Sequence, residues 1–457
     1  MKNTRETAFQ IIYKVLEENE YSHVVLRQTL DKEKDAEKRD RAFVTRLAEG
    51  TLEHLITLDY ILNQVSKTPV KKMKPIVRTV LRMSVYQLLY MDSVPDSAVC
   101  NEAVKLIKSK GLQGLSGFVN GVLRNVARNK EQWLSEEFYP DKVKHPAAYL
   151  SIRYSLPEWL CRYFVKEYGV EKAENIAEGS LRNPKTYIRC NTGKISKEAL
   201  AMRLQEQGFT VENGVYAADA LYLSGYDTLE KIPEFAQGLF QVQDESSMLV
   251  VQLAGLKPGD LVLDVCSAPG GKALHAANVL ESLGGGRVVS RDISEKKTAL
   301  IKENTERLQV KNITIQVADA TCLDEEMIEK ADVVIADLPC SGIGIMAKKP
   351  EIRYRMSAEN QKELVKLQQE ILEKVHRYVK PGGILMYSTC TINKEENENQ
   401  ARFLCEKYGF VPALDEVPEG LAEAVQEGGF LQLLPGIHEC DGFFIARLRK
   451  EIKGNTL

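Results

Sequence analysis

Nowhere in the 457-residue sequence does an apolar run approach the roughly 20 residues that a membrane span needs, so no bilayer-spanning helix is expected. No secretory leader is expected either. Met1 to Tyr13 carries Lys2, Arg5 and Glu6 and has no long apolar stretch. Nine cysteines are too sparse for a disulfide scaffold in a chain of this length. None are spaced as Cys-x-x-Cys, which argues against zinc, and no bound metal is expected. Most thiols are expected to be reduced, and Cys161, Cys190, Cys322 and Cys405 read as core residues. The phosphate-binding pattern G-x-x-x-x-G-K-[ST] is missing, as is the G-x-G-x-x-G of dinucleotide binders. The sequence shows no internal repeat and no low-complexity tract. A cytoplasmic location is the default expectation.

What is present describes a soluble globular protein, 44% hydrophobic and 27% charged. Its length predicts two or three domains. The net charge of −3 hides an asymmetry. Residues 1–130 hold 22 lysines and arginines against 15 acids, a net +7, and the remainder holds 39 against 49, a net −10. A basic module on an acidic body suggests a polyanionic partner gripped from one end. A solvated lysine-rich surface would give the same count.

Residues 1–130 read as all-helical. Val77, Val80, Leu81, Val85, Leu88 and Leu89 follow the spacing of an amphipathic helix, with Pro75 near its start. A second helix runs through Val99, Ala103, Leu106 and Ile107 to Gly111, and a third through Phe118, Val122, Leu123 and Val126 with Arg124 and Arg128 on its flank. Residues 131–255 read as a small α+β domain. It has helical stretches near Trp159 and Phe164, strands near 185–191, Phe209 and Leu221-Tyr222-Leu223, and a helix from Glu198 to Gln207. From 256 to 457 strand and helix alternate. Strands are predicted at 261–266, 286–291, 313–318, 331–336, 383–388 and 443–448, and helices at 272–281, 294–308, 359–379 and 394–408. Such alternation predicts a doubly wound, mostly parallel α/β sheet, with the last strand antiparallel.

Ligands of such sheets bind outside the carboxyl ends of the strands. Three strand ends carry chemistry here. Leu261-Val-Leu-Asp264 runs into Cys266-Ser267-Ala268-Pro269-Gly270-Gly271-Lys272, a tight turn onto a helix start suited to an anionic or closely approaching ligand. Val333-Val-Ile-Ala336 runs into Asp337-Leu-Pro-Cys340-Ser-Gly342, and Ile384-Leu-Met386 into Tyr387-Ser-Thr-Cys390. Asp292 ends the second strand, about 20 residues after the Gly-rich loop, where an acid suits the ribose hydroxyls of a nucleoside cofactor. Asp319 ends the third, in reach of an adenine amino group. Either Asp taken alone reads equally as a helix cap; acids on three successive strands favour the ligand.

The three loop motifs resemble those of RNA cytosine-C5 methyltransferases dependent on S-adenosylmethionine (SAM). Lys349-Pro-Glu-Ile-Arg353 fits as well. Residues 1–130, with Phe118-Val-Asn-Gly-Val-Leu-Arg124, resemble the RNA-binding domain of NusB. Together they point to the Sun/Fmu (RsmB) group acting on 16S ribosomal RNA. The resemblance implies three modules: a NusB-like helical RNA-binding domain (1–130), a small α+β RNA-binding or linker domain (131–255), and a Rossmann-like SAM methyltransferase domain (256–457) with a seven-stranded sheet. It implies Cys390 as nucleophile, Cys340 as the residue assisting product release, Asp337 on the cytosine edge and Lys272 lining the same pocket. The cofactor would be held by Cys266 to Lys272 with Asp292, Asp319 and Asp337. Ribosomal RNA would be the partner of a monomeric protein. One departure is Ala273, where the family usually has Thr; the loop backbone is expected to do most of the binding.

The chemistry accounts for two thiols. Cytosine C5 is a poor nucleophile until a thiolate adds at C6 and makes an enamine. A proton-handling partner then helps to end the adduct. The resemblance implies that the strands ending at 264, 336 and 388 are neighbours; adjacent strands lie about 4.8 Å apart, so both thiols would reach one base. A helix start at Asn393 to Glu396 would help to lower the nucleophile's pKa. The same motifs would serve an enzyme acting on transfer RNA. A DNA methyltransferase would use the Pro-Cys thiol as nucleophile and lack the Thr-Cys. A non-catalytic RNA-binding assembly factor would not need Asp337, Cys340 and Cys390.

Overall fold

The computed structural model describes residues 3–33 and 36–452. They divide into two compact units. One takes the chain up to Arg182 together with Met346–Arg355; the other takes Asn183–Ile345 and Met356 onward.

The first unit is helical. Its main helices are Thr4–Glu17, Ser22–Lys32, Lys38–Glu53, Leu55–Val65, Pro75–Tyr90, Asp96–Ser109, Ser116–Arg128, Pro146–Arg153 and Glu158–Gly179. The three helices expected from apolar spacing are present. Pro75 occupies the first turn of its helix, where a missing N–H leaves no hydrogen bond unmade. Val119, Val122, Leu123 and Val126 of Ser116–Arg128 are buried, and Arg124 and Arg128 are exposed. Val77, Val80, Leu81 and Val85 join them in one core with Ile11, Leu47 and Ile61.

The second unit holds two sheets. The smaller contains β1 (Tyr187–Cys190), β2 (Thr210–Asn213), β3 (Ala220–Ser224) and β4 (Phe240–Val242) in the order β2-β3-β1-β4, all antiparallel. Lys197–Glu206 is its helix. β4 was not expected, because three residues show no measurable alternation. Glu245–Gln252 follows, and Asp244 caps it by accepting from the Ser246 N–H.

The larger sheet contains β5 (Leu261–Asp264), β6 (Arg287–Asp292), β7 (Ile313–Val317), β8 (Ala331–Asp337), β9 (Val379–Thr389), β10 (Phe410–Pro412), β11 (Val425–Gln426), β12 (Phe430–Leu433) and β13 (Phe443–Lys450). The order is β11-β12-β13-β9-β8-β5-β6-β7, with β10 also on β13. β9, β8, β5, β6 and β7 are parallel, and β13 is antiparallel to β9. The sheet therefore has nine strands where seven were expected. β10, β11 and β12 are two to four residues long, too short to show a period in the sequence. Both faces are covered. Val262, Val333, Ile335, Met386 and Ile445 enter one core, and the alternate residues Leu263, Val334, Ala336, Leu385 and Phe444 enter the other. Gly271–Ser282, Glu295–Leu308, Ala358–Val375 and Glu398–Tyr408 are the main helices. Among the described residues, no helix is long and apolar enough to cross a membrane, and no cluster of side chains is arranged to hold a metal ion.

Candidate active site at the strand ends

β5, β8 and β9 are neighbours, so their carboxyl ends open side by side. The β8–β9 register sets Asp337 opposite Ser388, and the β5–β8 register sets Asp264 opposite Ile335. The loops that leave these ends carry the motif residues.

The loop after β5 is anchored at both sides. The Ser267 N–H donates to Arg291 O at 2.9 Å, and the Ser290 hydroxyl donates to Ser267 Oγ at 2.7 Å. Gly270 takes φ +101° and opens the helix Gly271–Ser282; an added Cβ would lie 3.2 Å from Ile301 and Leu274. This left-handed position favours glycine. Ala273 is buried in the core beneath the loop. Cys266 is held between the loop and the sheet, and burial followed by the nearby Asp264 charge pushes its thiol pKa up.

Asp292 lies at the end of β6, 3% exposed. Its Oδ2 accepts from the Ala268 N–H at 2.9 Å, and its Oδ1 accepts from the Ile293 N–H at 2.8 Å and lies 3.1 Å from Lys297 Nζ. Ser294, not Asp292, caps the next helix. The cap alternative thus fails for Asp292, whose carboxylate ties the Gly-rich loop to β6. Asp319, beyond β7, accepts from Thr321 N–H and Oγ at 2.9 and 2.7 Å, and these bonds hold its pKa below the usual carboxylate range. It lines a cleft of about 500 Å³ with Val265, Gln316 and Ala318. Cys322, expected in a core, is exposed and lines this cleft.

Asp264 is buried, and its Oδ1 has no hydrogen-bond partner. Burial pushes its carboxyl up to about 7, against the opposing pull of Lys272. An orphaned buried acceptor beside a glycine turn fits a ligand that donates a hydrogen bond.

The remaining residues converge. Lys272 Nζ lies 2.6 Å from Asp337 Oδ2 and 5.3 Å from the Phe443 ring centre. Ser388 donates to Asp337 Oδ1 at 2.8 Å. Cys340 Sγ and Cys390 Sγ are 3.3 Å apart. Their hydrogen bond, then burial, then the Cys390 and Glu396 charges hold the Cys340 thiol pKa well above its ordinary value. The helix start expected at Asn393 to Glu396 lies instead at Glu398. The intervening turn brings the buried Glu396 to Ser341, whose N–H donates to it at 2.7 Å. Sequence reasoning gave Ser388, Ser341 and Phe443 no role. The two serines lie within quoted motifs, whereas Phe443 reads only as an apolar strand residue.

The arrangement provides two adjacent thiols, a carboxylate fixed by a cation and a hydroxyl, and a glycine turn beside an acid with one unpartnered oxygen. Such a set can supply a nucleophile, a proton donor and an anchored carboxylate beside a cofactor loop.

Comparison with known proteins agrees across the chain. Residues 251–449 match the family model 16S rRNA methyltransferase RsmB/F, residues 2–128 the NusB family, and residues 156–228 an RsmF/B-like ferredoxin-like domain. The probable ribosomal RNA small subunit methyltransferase B of Bacillus subtilis is 36% identical, with 99% of this chain and 100% of the relative covered. A protein of the same name from Synechocystis is 34% identical over 98% and 100%. The solved structure of PH0851 has a TM-score of 0.79 at 26% identity, covering 97% of this chain and 98% of its own. With its motif loops at one sheet edge and a full-length relative at 36% identity, the chain belongs to the RsmB/F family of 16S rRNA methyltransferases.

Proposed function

We propose that this protein methylates C5 of a cytosine in 16S ribosomal RNA through a covalent bond between Cys390 and C6 of the base. The observation that carries the reading is the 3.3 Å contact between Cys340 and Cys390, beside an Asp337 held at 2.6 Å by Lys272. Bound S-adenosylmethionine supplies the electrophilic methyl group that C5 takes up. The residues to hold it are the Cys266–Lys272 loop, Asp292 and Asp319, with the orphaned Asp264 oxygen beside them.

The chain's own residues do the rest. The Cys390 thiolate adds to C6, which leaves C5 nucleophilic. Asp337 accepts from the cytosine amino group, and its carboxylate balances the charge of a base that takes a proton from solvent at N3. Lys272 and Ser388 fix that carboxylate and leave it little freedom to turn away. After methylation water takes the C5 proton, its bonding pair re-forms the C5–C6 double bond, the C6–S bond breaks to release the Cys390 thiolate, and N3 gives its proton back to solvent. Cys340 acts in this release by donating its S–H to the departing Cys390 sulfur, 3.3 Å away. The target base leaves its stack to enter the site.

In this reading the module 1–130 supplies the net charge of +7 that grips RNA, the module 131–255 links or binds RNA, and the module 256–457 performs the chemistry. The protein acts as a cytoplasmic monomer. The test is transfer of labelled methyl from S-adenosylmethionine to 16S rRNA lacking the modification, with 5-methylcytosine mapped in the product. Label confined to transfer RNA in a parallel reaction would reassign the substrate. Label at a base position other than cytosine C5 would reject the chemistry.

A further inference from the structure

The residues that follow the two thiols are joined to each other. Ser341 succeeds Cys340 and Thr391 succeeds Cys390, and their hydroxyl oxygens are 2.7 Å apart. Ser341 also donates its hydroxyl to Glu396 Oε1 at 2.5 Å and its N–H to Glu396 Oε2 at 2.7 Å. Gln361 and Gln368 donate side-chain amides to the same carboxylate at 3.4 and 3.3 Å, and Gln368 reaches Pro339 O at 2.9 Å. Glu396, Thr391 and Gln368 are fully buried, and Ser341 is 2% exposed. The Glu396 backbone is fixed as well, since the Tyr387 hydroxyl donates to its carbonyl and its own N–H donates to Asn393 O.

A carboxylate is an expensive group to bury and is retained only where its oxygens are supplied with donors. Here four donors converge on it, and two come from the residue next to Cys340. Because an ionised carboxylate only accepts, it aligns the hydroxyls in one direction: Thr391 O–H to Ser341, then Ser341 O–H to Glu396. We propose that Glu396 is a positioning residue for the methyl-transfer reaction, clamping the Cys340 loop to the Cys390 loop and so setting the separation of the two sulfurs.

This role rests on the thiol chemistry proposed above and adds a residue that does not touch the base. Glu396 lies six residues after Cys390, outside the Thr-Cys and Pro-Cys motifs. Its hold on both loops follows from the turn that delays the last helix to Glu398. Its charge adds to the hydrogen bond with Cys390 and to burial, the larger causes that raise the Cys340 thiol pKa.

The test is Glu396→Gln in the full-length protein, assayed for methyl transfer to unmodified 16S rRNA, with S-adenosylmethionine affinity measured by titration calorimetry. The Gln isostere places an NH2 donor against donors. A misplacement on the order of 1 Å lowers rates about 100-fold. The expected result is a fall in kcat of about 10- to 100-fold, with KM for RNA and affinity for S-adenosylmethionine changed less than about twofold. Unchanged kcat overturns the role, and so does an equal loss of S-adenosylmethionine affinity, which would mark general collapse of the domain. Ser341→Ala removes the shared hydroxyl but keeps the N–H donor to Glu396. It should reproduce the kcat-only pattern more weakly, and this serves if Glu396→Gln does not fold; wild-type kcat in Ser341→Ala then overturns the role. Cys390→Ala run alongside separates the two failures. Full turnover there removes the thiol reading and this role with it. An inactive Cys390→Ala beside a fully active Glu396→Gln removes the Glu396 role alone.

Discussion

Two sulfurs 3.3 Å apart share one hydrogen bond, so ionising one makes the other its donor. The surroundings favour Cys340 as that donor, because its hydrogen bond to Cys390, then its burial, then the Cys390 and Glu396 charges raise its thiol pKa. A Cys390 thiolate receiving the Cys340 S–H is the form needed for attack on C6. The division of labour predicts opposite phenotypes. Cys390→Ala removes the nucleophile and abolishes transfer, at least about 1,000-fold down in kcat on the scale of losing a nucleophile. Its affinity for S-adenosylmethionine, measured by calorimetry, should stay within about twofold, because the residues proposed to hold the cofactor are the Cys266–Lys272 loop, Asp292 and Asp319. Substantial residual turnover would remove Cys390 from the mechanism. Cys340→Ala leaves the nucleophile in place but removes the group acting in release. It should accumulate a protein–RNA adduct that survives denaturing electrophoresis, and normal turnover without adduct would deny Cys340 that role.

Strands were the elements most legible in the sequence. β5, β8, β9 and β13 are buried on both faces and read as apolar runs, and each ends at a residue of contrasting chemistry. The helices 271–282, 295–308 and 398–408 followed because charge and apolar residues alternate at helical spacing. The expected helix 359–379 ends at Val375, where the chain turns through His376–Tyr378 into β9. β4 and β10 to β12 escaped because pairing with β1, with β13 and, for β11, with β12 defines them, not their own pattern. The candidate residues at strand ends were legible for the same reason as the strands. Glu396 was not, because its partner Ser341 lies 55 positions away and a lone Glu after a Thr-Cys reads as helix surface. The crossing of two loops was equally hidden. Gly344 donates its N–H to Cys390 O at 3.1 Å and accepts from the Gly442 N–H at 2.9 Å. A Cβ on Gly344 would lie 1.9 Å from Gly442 O and 2.9 Å from Cys390 O. The obstruction is backbone, so no rotamer change relieves it. Gly344→Ala should therefore displace the Cys390 loop, cut kcat by at least about tenfold and cost about 1–3 kcal/mol of stability, as overpacking does. Steady-state kinetics and urea unfolding check this; wild-type values for both would mean that the crossing yields freely.

At the scale of the whole molecule, the chain leaves the methyltransferase unit after Ile345 and returns at Met356, and the ten residues between count with the helical unit. They begin four residues after Gly342 of the Pro-Cys motif and contain Lys349-Pro-Glu-Ile-Arg353. Three of their charged side chains, Glu351, Arg353 and Arg355, are built into the helical unit. Glu351, 2% exposed, accepts from the Ser22 N–H at 3.2 Å and from the Ser22 hydroxyl at 2.6 Å. Arg353, 1% exposed, donates to Tyr154 O at 3.2 Å and also to Ser180 O. Arg355 donates to Val15 O and Glu20 O, and its guanidinium stands 5.0 Å from the Tyr21 ring centre. Side chains from a distant part of the sequence thus complete helix Ser22–Lys32, whose start has no side-chain cap of its own. Glu351 takes that place, supplying the acceptor that an orphan first-turn N–H needs. Glu351→Ala should leave two buried donors unpaired and cost about 2–4 kcal/mol, on the scale of stranded buried polar groups. The loss should be local. Hydrogen exchange on the intact protein should show reduced protection in peptides covering Ser22–Lys32, with peptides covering β9 unchanged. Equal loss of protection in both regions would mean that the segment supports the methyltransferase unit as much as the helical one. Unchanged exchange would mean that Ser22 finds other partners.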